Sequence, residues 1–315
     1  MDGSGWQAGW QASMFTRVRL LLELIRFSHT IFALPFALSS AALAWREKWR
    51  DKPFSLVQFA LDLSGILLCM VFARSTAMAF NRIADRHYDK ANPRTAMRHL
   101  PAGTISLATV WLFVAICAVA FAASTLLFIV SSENWWPLFL SVPTLLFICV
   151  YSLTKRFTVF AHFWLGASLF LAPVAAWVAV CAFTQLATPL LLGLSVMFWV
   201  AGFDILYACQ DVEFDRKARL ASVPARFGIR ISLRIAAACH LLMVLMLLAL
   251  FWLPAAGLGW VYLAGVIGVA GLLVYEHCLV RPDDLSRVNR AFFQVNGIVS
   301  MGLFIVVLLQ LIVQA

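Results

Sequence analysis

TISLATVWLFVAICAVAFAASTLLFIV, residues 104–130, carries no charged side chain from end to end. A helix rises about 1.5 Å per residue, so about 20 such residues cross a hydrocarbon core roughly 30 Å thick. The stretch is long enough, and it lacks the alternation of apolar and polar residues that marks a barrel strand. Lipid offers backbone groups no hydrogen-bond partner, which leaves the helix as its conformation. The same reading extends outward to residues 28–45, 56–80, 135–153, 159–183, 187–209, 231–253, 258–279 and 291–314. Pro35, Pro143 and Pro173 fall inside these segments, where kinks are tolerated if neighbouring helices satisfy the freed carbonyls. The expectation is an all-α membrane protein of about nine transmembrane helices.

Composition agrees. The 315 residues are 63% hydrophobic and 12% charged, with a mean hydropathy of +0.90. Soluble proteins run at about 45–50% and about 25% on these two measures, so a soluble globule of this size has too few charges to cover its surface. Disordered, collagen-like and disulfide-stapled classes are excluded by the same figures. The seven cysteines are scattered singly without C-x-x-C spacing, and read as small buried hydrophobes rather than a zinc site or disulfide framework. Residues 1–14 read as a flexible N-terminal tail and residues 15–315 as a single transmembrane domain. Charges at Glu23 and Arg26, ahead of the small residues around Ala41 and Ala44, argue against a cleaved signal peptide.

The chain has 24 Lys+Arg against 15 Asp+Glu, a net charge of +9. Twenty of the bases fall in the N-terminal segment and in or beside the connections after spans 2, 4, 6 and 8, with Arg74 and Arg234 just inside the adjoining spans. Only Arg46, Lys48, Arg50 and Lys52 fall in the 1–2 connection. That asymmetry places the N-terminus in the cytoplasm and the C-terminus outside. It also accounts for the basic residues through the membrane, with no nucleic-acid partner.

Topology explains the bases but not the acids among them. Asp85 and Asp89 follow span 2, in FNRIADRHYDKANPRTAMRHLPAG (Phe80–Gly103). Asp211 and Asp215 follow span 6, in FDILYACQDVEFDRKARLASVPARFG (Phe203–Gly228). Each pair is spaced i, i+4, so on a continuing helix both carboxylates share a face. Asn81 extends the first stripe, and Asp204 lies seven residues ahead of Asp211. The recurrence suggests a pseudo-repeat of helices 1–4 and 5–8 with a ninth helix added, and four carboxylates converging at the cytoplasmic mouth.

Carboxylates held close together repel, and desolvating them is costly, unless cations intervene. Hard divalent ions fit such a site. Mg²⁺ takes oxygen ligands and typically joins one or two carboxylates to a substrate phosphate. Two acidic clusters on opposite walls, flanked by Lys and Arg, make a clamp for a diphosphate. Metal and cations together would stabilise a departing pyrophosphate. An apolar helical interior would keep water from the carbocation left behind.

These residues carry a resemblance. Asn81-xxx-Asp85-xxx-Asp89, the loop from Tyr151 through Lys155 and Arg156 to Thr158, and Asp211-xxx-Asp215-x-Lys217 stand in the order found in the UbiA superfamily of intramembrane aromatic prenyltransferases. Asp204, Tyr207 and Ser222 match as well, and the resemblance covers nearly the whole chain. It implies helices around a central cavity under a cytoplasmic cap, in the inner membrane of a bacterium. It implies a polyprenyl diphosphate held by Mg²⁺ on Asp85, Asp89, Asp211 and Asp215 with Asn81, and Lys155, Arg156, Lys217 and Arg94 near the diphosphate. It further implies attack of an electron-rich ring carbon on the allylic cation, with carboxylate help in activating the acceptor or removing its ring proton. Asn81, Arg26, His29, Tyr151, Asp204 and Tyr207 are the expected acceptor or cavity residues. Membrane lipid is the remaining partner.

One departure is informative. Where ubiquinone-type enzymes of this family commonly carry Asp after the first Asn, this chain has Arg82. That change, with RFSHTIFALPFAL (Arg26–Leu38) near the start, is similar to a bacterial branch that includes the menaquinone prenylase of the futalosine route. A cation in place of a carboxylate favours an anion, either phosphate or the acceptor's carboxylate. The expected acceptor is 4-hydroxybenzoate or 1,4-dihydroxy-6-naphthoate. A CDP-alcohol-type phosphotransferase also uses clustered aspartates, but with a glycine-bearing signature absent here. An ion-coupled transporter places its carboxylates nearer the bilayer midplane. Asp62, inside span 2 near its outer end, is read as interfacial, and His162 and His240 as packing.

Overall fold

The computed structural model describes residues 19–21, 23, 24 and 33–314. The proposed tail of residues 1–14, and Arg26 and His29, lie outside the described residues. Eleven α-helices of five residues or more follow in order: α1 (Leu34–Lys48), α2 (Leu56–Ala91), α3 (Leu107–Ser132), α4 (Trp136–Thr154), α5 (Ala161–Cys181), α6 (Ala187–Ala208), α7 (Val212–Lys217), α8 (Val223–Phe227), α9 (Ile229–Trp252), α10 (Trp260–Leu279) and α11 (Asn296–Gln314). A 3₁₀ turn at Cys209–Asp211 joins α6 to α7, and a π turn at Ala291–Val295 leads into α11. Among the described residues there is no β-strand, only an isolated bridge between Arg281 and Asp284.

Among the described residues, eight helices are long and apolar enough to cross a membrane. The ninth expected span is α1, whose fifteen residues are shorter than the rest. Local sequence sets where helices begin. The Ser55 hydroxyl accepts from Gln58 N–H at 3.4 Å at the start of α2, and Ser106 accepts from Thr109 N–H at 3.1 Å at the start of α3. Such caps satisfy backbone donors that have no partner within the helix. Proline opens α1 and α4, where its missing N–H costs nothing.

The helix pairs α2–α3, α5–α6, α6–α9 and α10–α11 pack side by side, and α1 lies against both α5 and α11. The core at these contacts contains Phe36, Trp177, Trp199, Met243 and Tyr262, all fully buried. Leu112, Ile116, Val119 and Val130 on α3 stay exposed, the apolar surface expected of a helix that faces lipid. Trp135, Trp136, Trp252 and Trp260, exposed at helix ends, are placed as membrane-interface anchors.

Two buried polar networks join the helices. Asp62, near the outer end of α2, is paired rather than open to solvent. Its side chain is fully buried and receives Lys48 Nζ at 2.9 Å, Ser131 Oγ at 2.6 Å and Trp45 Nε1 at 3.3 Å. His240 is more than packing too. It meets His277 Nε2 at 2.9 Å and the Trp199 carbonyl at 3.3 Å, while Asn296 bridges Glu276 at 2.8 Å and Trp199 at 2.7 Å. In both cases apolar surroundings make an unpaired polar group expensive, so the partners come from other helices and bind them together.

Candidate active site

The C-terminal ends of α2, α4 and α6 meet at one end of the bundle, and there the predicted residues gather. α2 is continuous through Asp85 and Asp89. The second motif differs from the expected uninterrupted helix. α6 stops at Ala208, Asp211 closes the 3₁₀ turn, and Asp215 lies on α7. A 3₁₀ turn winds tighter than an α-helix, so the stripe from Asp204 to Asp215 does not follow a single 100° repeat.

Each carboxylate has a cationic or amide neighbour. Asn81 Nδ2 donates to Asp85 at 2.9 Å, and Arg156 stands 3.9 Å from the other Asp85 oxygen. Arg98 Nη1 reaches both oxygens of Asp89, at 2.7 and 2.8 Å. Arg94 makes a fork on Asp211, through Nε at 3.0 Å and through Nη2, and its Nη1 donates to the Tyr207 hydroxyl at 2.8 Å. Asn92 Nδ2 adds a contact to Asp211 at 3.5 Å. The loop after α2 thus joins the two motifs, one arginine on each. Burial works against the Arg94 charge, but Asp211 and Tyr207 outweigh it and raise its pKa above the usual arginine value.

Lys155, in the α4–α5 loop, faces carboxylates of both motifs. Burial alone would lower its pKa, yet Asp204, Tyr151, Asp215 and Asp85 together hold it above the ordinary lysine value. Arg156 donates to the Ala84 carbonyl at 2.7 Å and lies over the Tyr88 ring at 5.4 Å, fixing that loop to α2. Arg82 is buried, donating to the Leu24 carbonyl at 3.3 Å and towards Asn81 at 3.5 Å. Lys217 is exposed at the last position of α7. A cleft of about 290 Å³ opens beside these groups, lined among others by Glu23, Arg82, Arg94, Arg98 and His99. Tyr207 continues inward through Phe292, Phe203 and Trp199, with ring centroids 4.4, 5.2 and 4.9 Å apart in turn.

Two residues escaped the sequence reading. Arg74, counted there only as a topological charge, lies on α2 three helical turns before Asp85, and its Nε is buried without a hydrogen-bond partner. The signal was an arginine well inside an apolar run. His162, read as packing, is fully buried with Nδ1 at 2.6 Å from Asp204 Oδ2.

The donor set suits a hard divalent ion. It consists of carboxylate oxygens, and Asp215 Oδ2 is buried with no hydrogen-bond partner, an open ligand position of the kind a cation fills. Among the described residues no three acidic, histidine or cysteine side chains stand close enough to hold one ion together. Arginines take up that space on Asp89 and Asp211.

Fold and site define an integral membrane enzyme built on two aspartate motifs at one end of a helical bundle. Residues 33–298 match the model of the UbiA prenyltransferase family, and the chain belongs to that family: it is a prenyltransferase. The chain is 28% identical over 290 residues to a 4-hydroxybenzoate octaprenyltransferase of Methylococcus capsulatus, covering 82% of this chain and 92% of that protein. The apo structure of a UbiA homolog from Aeropyrum pernix K1 superposes with a TM-score of 0.75 at 31% identity, covering 91% and 98% of the two chains. A UbiA homolog from Archaeoglobus fulgidus bound to DMAPP and Mg²⁺ shares the fold, with a TM-score of 0.66 at 20% identity over 93% and 99% of the chains.

Proposed function

We propose that this prenyltransferase moves a polyprenyl group from an isoprenyl diphosphate to an aromatic acid, 4-hydroxybenzoate or 1,4-dihydroxy-6-naphthoate, with Mg²⁺ as cofactor. The observation that carries the reading is Lys155, a half-buried cation facing carboxylates of both aspartate motifs. Family membership sets aside the CDP-alcohol phosphotransferase and the ion-coupled transporter. The M. capsulatus relative's name favours 4-hydroxybenzoate, and the A. fulgidus homolog's ligands favour a divalent ion beside a prenyl diphosphate. The site faces the cytoplasm of a bacterial inner membrane in this reading.

Asp85, Asp89, Asp211 and Asp215, with Asn81, are the residues that would hold the ion. When bound, Mg²⁺ neutralises charge on the leaving diphosphate. Lys155, Arg156, Arg94 and Arg82 add fixed positive charge where the C–O bond breaks, and Lys217 stands at the rim. Fixed cations cost little reorganisation at the moment charge develops. The apolar helices below exclude water from the allylic cation, and the Tyr207–Phe292–Phe203 series offers ring faces to it. Arg74, buried and unpaired at Nε, suits the acceptor's carboxylate. Asp204, with Tyr151 and Tyr207 nearby, faces the acceptor. Arg26 and His29 keep their sequence-based assignment to the cavity.

Membranes containing the protein, incubated with a polyprenyl diphosphate, Mg²⁺ and each acid in turn, are expected to yield one prenylated acid by mass spectrometry. Product from neither acid refutes the acceptor assignment. Asp85→Asn and Asp211→Asn are expected to abolish transfer while inserting and purifying normally. Full activity of either at saturating Mg²⁺ refutes the metal assignment.

A further inference from the structure

His162 opens α5 with its side chain fully buried, yet both ring nitrogens are engaged. Nδ1 lies 2.6 Å from Asp204 Oδ2, and Nε2 lies 3.4 Å from the backbone nitrogen of Val223. A backbone N–H can only donate, so Nε2 must present its lone pair. The ring proton is therefore on Nδ1 and is donated to the carboxylate. The imidazole is neutral and its orientation is fixed from both sides.

The Val223 contact has company. Leu220 N–H binds the Asp215 carbonyl at 2.8 Å and Ala221 N–H binds the Lys155 carbonyl at 2.7 Å. Three backbone donors within Leu220–Val223 thus end on Asp215, Lys155 and His162 in succession. His162 is where this strap behind the second motif is tied to Asp204. Asp204 itself keeps 16% side-chain exposure, so its carboxylate is oriented without being sealed off.

We propose that His162 is a positioning residue for the acceptor half-reaction, holding the Asp204 carboxylate in place through Nδ1–H while Nε2 anchors the Leu220–Val223 strap. The proposal rests on the reading of the chain as an aromatic-acid prenyltransferase. As the new C–C bond forms at the acceptor ring, the electron pair of the broken C–O bond leaves with the diphosphate. The ring's C–H bond then breaks, its electrons restore aromaticity, and its proton passes to Asp204. A carboxylate aimed by a second group is the arrangement in which removing that group lowers turnover more than binding.

Three substitutions separate the two nitrogens. The His162→Asn amide can place an N–H where Nδ1 stands, His162→Gln reaches only the Nε2 position, and His162→Ala keeps neither. For Ala and Gln we expect kcat to fall about 10- to 100-fold, with KM for the prenyl diphosphate unchanged. The Asn variant is expected to recover to within about threefold of wild type. Full turnover in Gln or Ala, or an Asn variant no better than Ala, overturns the proposal. The second arm needs no activity. ¹⁵N-histidine-labelled protein in lipid nanodiscs, with His162→Asn subtracted for assignment, is expected to show a neutral ring protonated at Nδ1. An imidazolium or an Nε2–H tautomer overturns the proposal. Wild type that prenylates neither acid refutes the functional reading, and the nitrogen spectrum then still decides the state of His162.

Discussion

Arg94→Gln tests whether a loop arginine and a metal ion compete for Asp211. The side chain forms two bonds to that carboxylate and one to Tyr207, with Arg94 38% and Asp211 16% exposed. A charge-assisted hydrogen bond contributes about 1.5–3 kcal/mol when shielded from water. Ion pairs open to solvent contribute about 0.2–1 kcal/mol. Discounted for exposure, the fork stabilises the metal-free site by about 1–2 kcal/mol. A cation arriving at Asp211 must displace it, so by linkage the glutamine variant should bind a divalent ion about 5- to 30-fold more tightly in the absence of substrate. Affinity for the prenyl diphosphate should move the other way, because one fixed positive charge is gone. Isothermal titration with Mg²⁺ or Mn²⁺ in detergent measures the first effect, and KM for the prenyl diphosphate the second. Metal affinity unchanged or weaker in Arg94→Gln refutes the competition, whatever happens to catalysis.

The other predictions concern the scaffold and the pH range of the site. Lys48→Met strands the fully buried Asp62 with only Ser131 and Trp45 as partners. The expected loss is about 3–5 kcal/mol in denaturant unfolding, and adding Asp62→Leu should recover most of it; a double variant no more stable than the single contradicts this. Gly202→Ala would put a Cβ 2.4 Å from two ring atoms of His240 and 3.1 Å from the Ala236 carbonyl. It should cost about 1–3 kcal/mol, seen as a lower Tm in detergent, and an unchanged Tm tells against the close approach of α6 and α9. The raised Lys155 pKa fixes the direction of a pH effect. A basic group with a raised folded pKa stabilises fully below its unfolded value of about 10.4, and the effect is lost only as pH rises through the folded value. Prenyl diphosphate binding should therefore show no Lys155 titration between about pH 7.5 and about pH 9.5; a one-proton loss of affinity there that disappears in Lys155→Met contradicts the assignment.

How much of this could be read from residue order depends on how far apart the interacting groups lie along the chain. Apolar length alone located the spans, since lipid imposes the same requirement on every helix. The shortest, α1, has fifteen described residues. Asp85 and Asp89 were legible because i, i+4 geometry is local and α2 continues through both. Asp211 and Asp215 were recognised by the same spacing, though a 3₁₀ turn intervenes. The pairings themselves were out of reach. Arg94 meets Asp211 across 117 residues, and His162 meets Asp204 across 42. Nothing in a histidine beside an apolar run says whether its neighbour will be a leucine or a carboxylate. Asp62 shows the same limit. Its closeness to the outer end of α2 suggested the interface, but its three partners on α1, the end of α1 and α3 lay out of sight.

The arginines on Asp89 and Asp211 also bear on how the protein is made. A nascent chain enters the membrane helix by helix, and the loop after α2 meets the second motif, through Asn92 and Arg94, before either motif meets a ligand. Proteins whose ligating groups have no other counter-charge fold only when the metal is supplied. Here Arg98 arrives with Asp89, and Arg94 is already in place when Asp211 follows it into the bundle. Assembly is thereby uncoupled from the cell's supply of divalent ion and of prenyl diphosphate, and the folded enzyme can wait in the bilayer for both.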